Sequence, residues 1–118
     1  MTGAISWNLQ LTVQEGRLEA ARALMSEMVA ATRNEEGAVL YEWFLSEDGG
    51  VCHICEKYRD SAAALEHLGN FGANFAERFL MSFVPTSLHV YGKPSDEVRG
   101  ILDGFGATYL APFGGFAR

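Results

Sequence analysis

Residues 5–13 alternate apolar and polar side chains without exception, and this pattern constrains the fold more than any other in the chain. The odd-numbered positions are Ile5, Trp7, Leu9, Leu11 and Val13, whereas the even-numbered positions are Ser, Asn, Gln and Thr. Successive side chains of a β-strand point to opposite faces, so a period of two predicts a strand with one buried face. The chain therefore needs a sheet whose apolar face is covered by a second layer.

Two segments show helical rather than strand spacing. Apolar residues recur every three or four positions from Leu18 to Val29, and Gly37 suits a C-terminal cap, which predicts a first helix over about residues 16–35. Asp60 suits the N-cap of a second helix. We expect that helix to break near residues 69–72, where two glycines weaken it, and to end at Pro85.

Three further strands are predicted, over residues 38–46, 51–59 and 87–91. The first two are separated by Glu47-Asp48-Gly49-Gly50, in which Asp-Gly is a strong hairpin signal. Beyond residue 92 we expect a short helix over residues 96–103. An apolar, aromatic tail follows over residues 107–118, and it should dock either on its own sheet edge or on a partner.

The order of these elements predicts the fold class. Strand, helix, strand, strand, helix, strand is the split ferredoxin-like βαββαβ pattern, an α+β fold with a four-stranded antiparallel sheet and both helices on one face. A chain of 118 residues has the size of one domain, with a core over residues 5–92 and a C-terminal helix and tail over residues 94–118. Because the other face also needs a cover, we expect a homodimer that packs sheet on sheet.

The charge balance disfavours polyanionic partners. Nine basic and fifteen acidic residues give a net charge of −6, and no basic stripe is present, so neither nucleic acid nor an anionic membrane surface is an expected partner. The first residues lack the basic and then apolar regions of a signal peptide, and no apolar run reaches membrane-spanning length. We therefore expect a cytoplasmic protein.

Cys52 and Cys55 form a C-x-x-C pair, which suggests redox or zinc chemistry. On a predicted strand, residues three apart point to opposite faces and lie roughly 10 Å from each other. That separation exceeds disulfide reach, and a zinc site needs four ligands whereas no second pair exists. We expect two free thiols and no metal site, and a redox protein is the last-ranked alternative.

Three histidines are candidates for acid or base chemistry near neutral pH. His53 and His89 are predicted on strands that the first strand separates, so they should be hydrogen-bonded residues at a sheet face or interface. His67 lies on the second helix on the same side as Phe71, between helix and sheet. It is the best catalytic candidate, although a structural histidine in the core is equally compatible with this position.

Six aromatic residues could line a pocket for a flat apolar ligand, and core packing is the simpler explanation for them. They are Trp7, Tyr41, Trp43, Tyr58, Phe71 and Phe75. Motifs for phosphate, dinucleotide or flavin binding are absent, because the glycine pairs lack the G-x-G-x-x-G spacing.

Several short motifs together resemble a known family. They are Glu36-Gly37 before Tyr41-Glu42-Trp43, then Asp48-Gly49, and above all Glu56-Lys57-Tyr58-Arg59-Asp60-Ser61-Ala62-Ala63 with His67 further along the helix. Over about residues 5–92 the chain resembles the antibiotic biosynthesis monooxygenase family, the dimeric α/β-barrel branch of the ferredoxin-like folds that includes small quinol monooxygenases.

The resemblance implies a monooxygenase that uses no flavin, haem or metal cofactor. A small electron-rich aromatic substrate, such as a quinol, a phenol or a polyketide-like molecule, would be deprotonated, and its anion would pass an electron to O₂. Relatives that degrade haem carry a histidine late in the second helix, where residues 74–79 have none, so haem degradation is not expected.

The resemblance also implies roles for individual residues. His67 would be the base or hydrogen-bond partner, and the other candidates would bind the substrate. Trp43, Tyr41 and Tyr58 would orient its ring, Phe71 and Phe75 would close the pocket, and Trp7 and Asn8 would contribute further contacts, with Asn8 opposite Trp7 and towards the dimer interface.

A non-catalytic dimeric module that binds a small hydrophobic ligand, or only stabilises an assembly, is the alternative function, because one fold hosts unrelated activities. The space beside His67 discriminates between the two. The enzyme predicts a cavity of several hundred Å³ with converging polar groups, whereas a packed space favours the module.

Overall fold

The computed structural model describes residues 3–118, so Met1 and Thr2, which belong to the predicted domain and to the targeting argument, lie outside the described residues. The elements are β1 (Ile5–Val13), α1 (Leu18–Arg33), β2 (Ala38–Leu45), β3 (Val51–Tyr58), α2 (Ser61–Asn74), α3 (Ala76–Ser82), β4 (Phe83–Tyr91), α4 (Asp96–Leu102), a 3₁₀ turn (Asp103–Phe105) and β5 (Thr108–Leu110). This order confirms the predicted ferredoxin-like α+β fold.

The sheet has five strands in the order β2-β3-β1-β4-β5. The first four are antiparallel neighbours, as predicted, and β5 adds a parallel strand at the free edge of β4. The four-stranded prediction is therefore corrected to a mixed sheet of five. Unpaired backbone groups at a sheet edge favour such an addition, so residues 108–110 of the tail cover the edge of their own sheet.

The alternation in β1 has the predicted effect. Trp7 and Leu11 are buried against the helices, and Trp7 stands opposite Glu56 of β3 and Val90 of β4. The other face points away from the helices, and we call it the open face. It carries Asn8, Gln10, Phe44, His53, Cys55 and His89.

The second helical segment differs from its prediction. α2 continues through Gly69 and Gly72 to Asn74, and the interruption lies at Phe75, whose φ of −129° departs from helical values. A glycine costs a helix only about 1 kcal/mol, so packing of the flanking residues against the sheet outweighs it.

Pro85 lies inside β4 and does not end the helix, which stops at Ser82. The register of β1 and β4 shifts between Gln10 and Leu11, which pair with Ser87 and Pro85. A proline has no N–H to donate to a strand ladder, and such an irregularity is where a strand tolerates it.

Gly37 also has a different role from the predicted helix cap, because α1 ends at Arg33 and is capped by Asn34. A Cβ at residue 37 would collide with the Cβ of Ala63 in α2. The glycine therefore allows the start of β2 to touch α2, which brings that helix close to the turn after α1.

None of the described helices is long and apolar enough to cross a membrane.

Candidate active site

His67 is held between α2 and the sheet. The Asp60 side chain caps α2 by accepting a hydrogen bond from the Ala63 N–H at 2.8 Å. Helical periodicity then places Ala63, Ala64 and His67 on the buried side of the helix. The imidazole is only 6% exposed, so it titrates in a protein environment and not in water.

Two buried glutamates contact the imidazole, one at each ring nitrogen. Nδ1 lies 3.0 Å from Oε1 of Glu35, and Nε2 lies 3.2 Å from Oε1 of Glu56. Glu35 lies in the turn between α1 and β2, and Glu56 lies on the helix-facing side of β3. Three separate parts of the chain thus meet at one ring.

Two further polar groups complete this arrangement. The Tyr58 hydroxyl donates to Oε1 of Glu56 at 2.6 Å, and the Asn70 amide donates to Oε2 of Glu35 at 3.2 Å. Tyr58 is two residues from Glu56 on the same face of β3, and Asn70 is three residues from His67 in α2. We call Glu35, Glu56, Tyr58, His67 and Asn70 the histidine cluster.

The cluster sets the charge of its members. Burial lowers the pKa of His67, but the hydrogen bonds and charges of Glu35 and Glu56 outweigh burial and raise the pKa to about 9. His67 is therefore an imidazolium at neutral pH. Burial, together with the charge of Glu56, raises the pKa of Tyr58 and of Tyr41 well above the ordinary range, so both hydroxyls stay protonated.

A cavity of about 40 Å³ lies beside His67. Its walls include Trp7, Tyr41, Glu56, Phe71, Leu102 and Phe105. This volume suffices for a water molecule or two, whereas sites for small molecules measure roughly 300–1,000 Å³. The cavity of several hundred Å³ that the enzyme hypothesis predicted is therefore not present, and an aromatic ligand would have to displace part of the wall.

The structure brings part of the predicted site together. Trp7, Tyr41 and Phe71 line the cavity with His67, and the ring centroids of Trp7 and Tyr41 lie 6.4 Å and 5.4 Å from that of His67. The Tyr58 ring lies 4.8 Å from His67 but is fully buried behind it, with its hydroxyl on Glu56.

The other predicted ligand contacts lie elsewhere. Trp43 lines a second cavity of about 180 Å³ together with Cys52 and Phe83. Phe75 lies at the interruption between α2 and α3, outside the walls of the cavity beside His67. Asn8 lies on the open face, as predicted, and its amide donates to the Cys55 sulfur at 3.4 Å.

Sequence reasoning missed both glutamates and the C-terminal wall. A signal existed for Glu56, which shares the buried face of β3 with Ile54 and Tyr58, where an ionisable residue needs a partner. The sequence offered no such signal for Glu35, because a glutamate in an acidic turn normally faces solvent. The C-terminal segment contributes Leu102 and Phe105, which no pattern in the sequence connects with His67.

The two cysteines and the other two histidines lie on the sheet. Cys52 is buried and Cys55 lies on the open face, both thiols are free, and burial raises the pKa of the Cys52 thiol to about 11. His53 and His89 lie on β3 and β4, with β1 between them. Within residues 3–118, no three His, Cys, Asp or Glu side chains are arranged to hold a metal ion.

Comparison with known proteins places these features in a family. The family model described as antibiotic biosynthesis monooxygenase matches residues 5–73, which include Glu35, Glu56 and His67. The chain belongs to the antibiotic biosynthesis monooxygenase family.

One relative of this chain in the family can be compared in both sequence and structure. The Mycobacterium tuberculosis protein Rv0793, named as a candidate monooxygenase, is 41% identical over 51 residues, which are 43% of this chain and 50% of Rv0793. The chain thus matches about half the length of this curated relative. The solved structure of Rv0793 has a TM-score of 0.62 at 26% identity and covers 79% of this chain and 97% of its own.

The crystal structure of MupZ from Pseudomonas fluorescens matches over the full chain. It has a TM-score of 0.88 at 24% identity and covers 100% of this chain and 91% of its own. At that identity the likeness concerns the fold alone, and it includes the C-terminal segment that supplies Leu102 and Phe105.

Proposed function

We propose that this protein is a cofactor-independent monooxygenase that oxidises a small electron-rich aromatic substrate, such as a quinol, a phenol or a polyketide-like molecule, with O₂. The observation that carries the proposal is the buried histidine cluster beside an aromatic-walled cavity, within a family of monooxygenases. The cluster offers groups that can hold or move a proton, and Trp7, Tyr41 and Phe71 offer surfaces on which a flat ring can stack.

The proposed reaction balances without a cofactor. Loss of one proton gives a substrate anion, which transfers one electron to O₂. The substrate radical and superoxide then combine to a peroxide anion, which takes the proton back, and loss of water from the hydroperoxide leaves a carbonyl product. The protein supplies orientation, proton transfer and exclusion of water. His67 serves in it as a hydrogen-bond partner, which is the second of the two roles that the resemblance implies for it.

Entry of the substrate requires the wall to open. Phe105 is only half-buried and stands between Gly104 and Gly106, at whose Cβ positions no atom lies within 4 Å. Its ring centroid lies 6.4 Å from that of Phe71. We propose that displacement of Phe105 enlarges the cavity, because this wall residue is partly exposed and lies between two glycines.

We propose that the chain acts in the cytoplasm as a homodimer that pairs its open faces. Several large apolar side chains are exposed on or beside this face, including Phe44, which is 53% exposed on β2. Exposed apolar surface of this kind marks interaction sites. Asn8 would then contribute to the interface between the two subunits. The substrate site would be supported, through packing, by Trp43, Tyr58 and Phe75, none of which lines the cavity.

The small cavity favours a second function, a non-catalytic module that stabilises an assembly or binds a small hydrophobic ligand. Its 40 Å³ matches the packed space expected of such a module. The polar groups beside the cavity favour the enzyme and the size of the cavity favours the module, so a measurement of turnover is needed to separate them.

Oxygen consumption tests the proposal. Purified, chelator-treated protein is mixed with a panel of quinols, anthrones and naphthols, and O₂ uptake is followed. The wild type should consume O₂, and His67→Ala should reduce the rate at least tenfold while its circular dichroism stays unchanged. Glu66→Ala, a change at the neighbouring, exposed position of α2, is the control and should retain the rate. No uptake by the wild type with any panel member would favour the module.

A further inference from the structure

We propose that Glu56, and not His67, accepts the proton from the substrate, with His67 held as a hydrogen-bonded cation between Glu56 and Glu35. This inference rests on the proposed function and assigns the proton-transfer role within its site.

The geometry at the imidazole leaves it no lone pair. A neutral imidazole has one N–H and one acceptor nitrogen, whereas here both nitrogens lie within 3.2 Å of a carboxylate oxygen. A lone pair facing an ionised carboxylate would be repelled, so both nitrogens carry protons and donate. The raised pKa of about 9 agrees with this state. An imidazolium cannot act as a base.

The two carboxylates differ in their free acceptor positions. Glu35 has both oxygens engaged, Oε1 by His67 and Oε2 by Asn70, and it does not line the cavity. Glu56 receives both Tyr58 and His67 on Oε1, so its Oε2 takes neither of these two bonds. Glu56 also lines the cavity. Its Oε2 is therefore the acceptor that a bound substrate can reach.

The charges of the cluster are not balanced by a basic residue. Two carboxylates and one imidazolium sum to −1, and over residues 3–118 no lysine or arginine forms an ion pair with Glu35 or Glu56. A buried net charge is costly, and one added proton neutralises the cluster. The titratable groups that act around Glu56 are Tyr58 on its own strand, Tyr41 on β2, His67 on α2 and Glu35, and both tyrosines stay protonated.

The proposed step is a simple proton transfer. A substrate O–H or acidic C–H bond breaks, its electron pair stays on the substrate, and the proton forms an O–H bond at Oε2 of Glu56. No oxidant takes part in this step, so it can be measured without O₂. The protonated Glu56 later returns the proton to the peroxide.

Anaerobic hydrogen exchange measures this step separately from oxygenation. Anthrone, which has an acidic CH₂ group, is incubated with the protein in D₂O under nitrogen, and loss of its CH₂ signal is followed by proton NMR. The wild type should accelerate exchange, and Glu56→Gln should reduce the acceleration about 100-fold or more, within the range of general base catalysis. Glu35→Gln and His67→Gln keep the Glu56 carboxylate, so these variants should lose less of the exchange acceleration than Glu56→Gln does. Glu77→Gln changes an exposed glutamate on α3, on the helical side, and should lose none of the acceleration.

The outcomes separate the two proposals. Exchange without O₂ uptake would overturn the proposed oxygenase but support Glu56 as the proton acceptor. Wild-type exchange that survives Glu56→Gln, or that His67→Gln reduces more than Glu56→Gln does, would overturn the role of Glu56. Absence of wild-type exchange would overturn it as well.

A readout independent of activity covers variants that fail to fold. In wild-type protein with ¹⁵N-labelled histidine, assigned by comparison with His67→Gln, both ring nitrogens of His67 should show N–H shifts at pH 7. A neutral His67 at pH 7 would overturn the proposal, because the imidazole would then have a lone pair for the substrate proton.

Discussion

At the scale of the residue, the central feature is a cation buried between two carboxylates. Histidine with an ordinary pKa of 6.5 would be largely neutral at pH 7, and burial alone would make it more so. Direct hydrogen bonds at both nitrogens reverse this tendency. The protonation state of His67 is therefore determined by Glu35 and Glu56, and it contributes to the stability of the fold.

Stability should fall with rising pH because of His67. Below pH 6.5 the imidazole is protonated in both the folded and unfolded states, so its contribution is fully present. Between pH 6.5 and about 9 the folded state binds more protons, so the free energy of unfolding decreases, by at most about 1.4 kcal/mol per pH unit. Urea unfolding at several pH values measures this decrease. His67→Gln should abolish it in this window, and parallel profiles for the two proteins would contradict the assignment.

Removal of the Tyr58 hydroxyl should cost more than removal of a similar exposed one. Tyr58 and Tyr109 each donate to a carboxylate at 2.6 Å, but the Tyr58 bond is buried and the Tyr109 bond to Asp103 is exposed. Tyr58→Phe leaves a buried charged acceptor with one donor fewer, which should destabilise the protein by about 1–3 kcal/mol. Tyr109→Phe should cost about 0.5 kcal/mol or less. Equal losses in chemical denaturation would show that burial does not strengthen the bond.

At the scale of the element, the position of α2 brings the cluster together. The Asp60 cap starts the helix, and contact between Gly37 and Ala63 brings its first turns against the start of β2. His67 is one turn further along α2, and it reaches Glu35 of the preceding turn and Glu56 of β3. A small displacement of α2 would therefore separate the imidazole from its two partners.

Two glycine substitutions test this positioning in opposite directions. Gly37→Ala places a Cβ against that of Ala63, so it should destabilise the protein by about 1–3 kcal/mol and reduce the raised pKa of His67. Gly72→Ala lies on α2 with no atom near the added Cβ, so it should stabilise the protein by about 0.5–1 kcal/mol. Thermal unfolding and NMR titration of His67 measure both effects. If Gly37→Ala left the stability unchanged, α2 would be able to shift and accept the added Cβ at no cost in free energy.

At the scale of the whole molecule, the two faces of the sheet carry different groups. One face carries the helices, the histidine cluster and the cavity, whereas the open face carries Phe44 and a row of polar residues. The C-terminal segment covers one edge of the sheet with β5. It also contributes Leu102 and Phe105 to the wall of the cavity.

A change on the open face should dissociate the proposed homodimer. In sedimentation velocity the wild type should have about twice the 12.9 kDa mass of the chain. Phe44→Asp places a charge on the open face and should shift the protein towards the monomer. Leu80→Asp alters a similarly exposed residue on α3, on the helical side, and should leave the dimer intact. A monomeric wild type would contradict the proposed assembly.

Local patterns in the sequence were sufficient for much of the fold. Alternation in residues 5–13, the Asp-Gly hairpin and the Asp60 cap depend on neighbours within a few residues, and each has the predicted effect. The same information placed His67 on the buried side of its helix. The predicted break at the glycines of α2 was wrong because packing outweighed the local preference. The predicted helix end at Pro85 was wrong because a register shift accommodates the proline inside β4.

The sequence by itself therefore determined the order of strands and helices, the division of β1 into two faces and the candidacy of His67. Only the tertiary structure decided which groups surround that histidine. Glu35 and Glu56 are 32 and 11 residues from it along the chain, and the walls at Leu102 and Phe105 come from the far end of the protein. Such contacts depend on how α2 and the C-terminal segment pack on the sheet, and no local period encodes that packing.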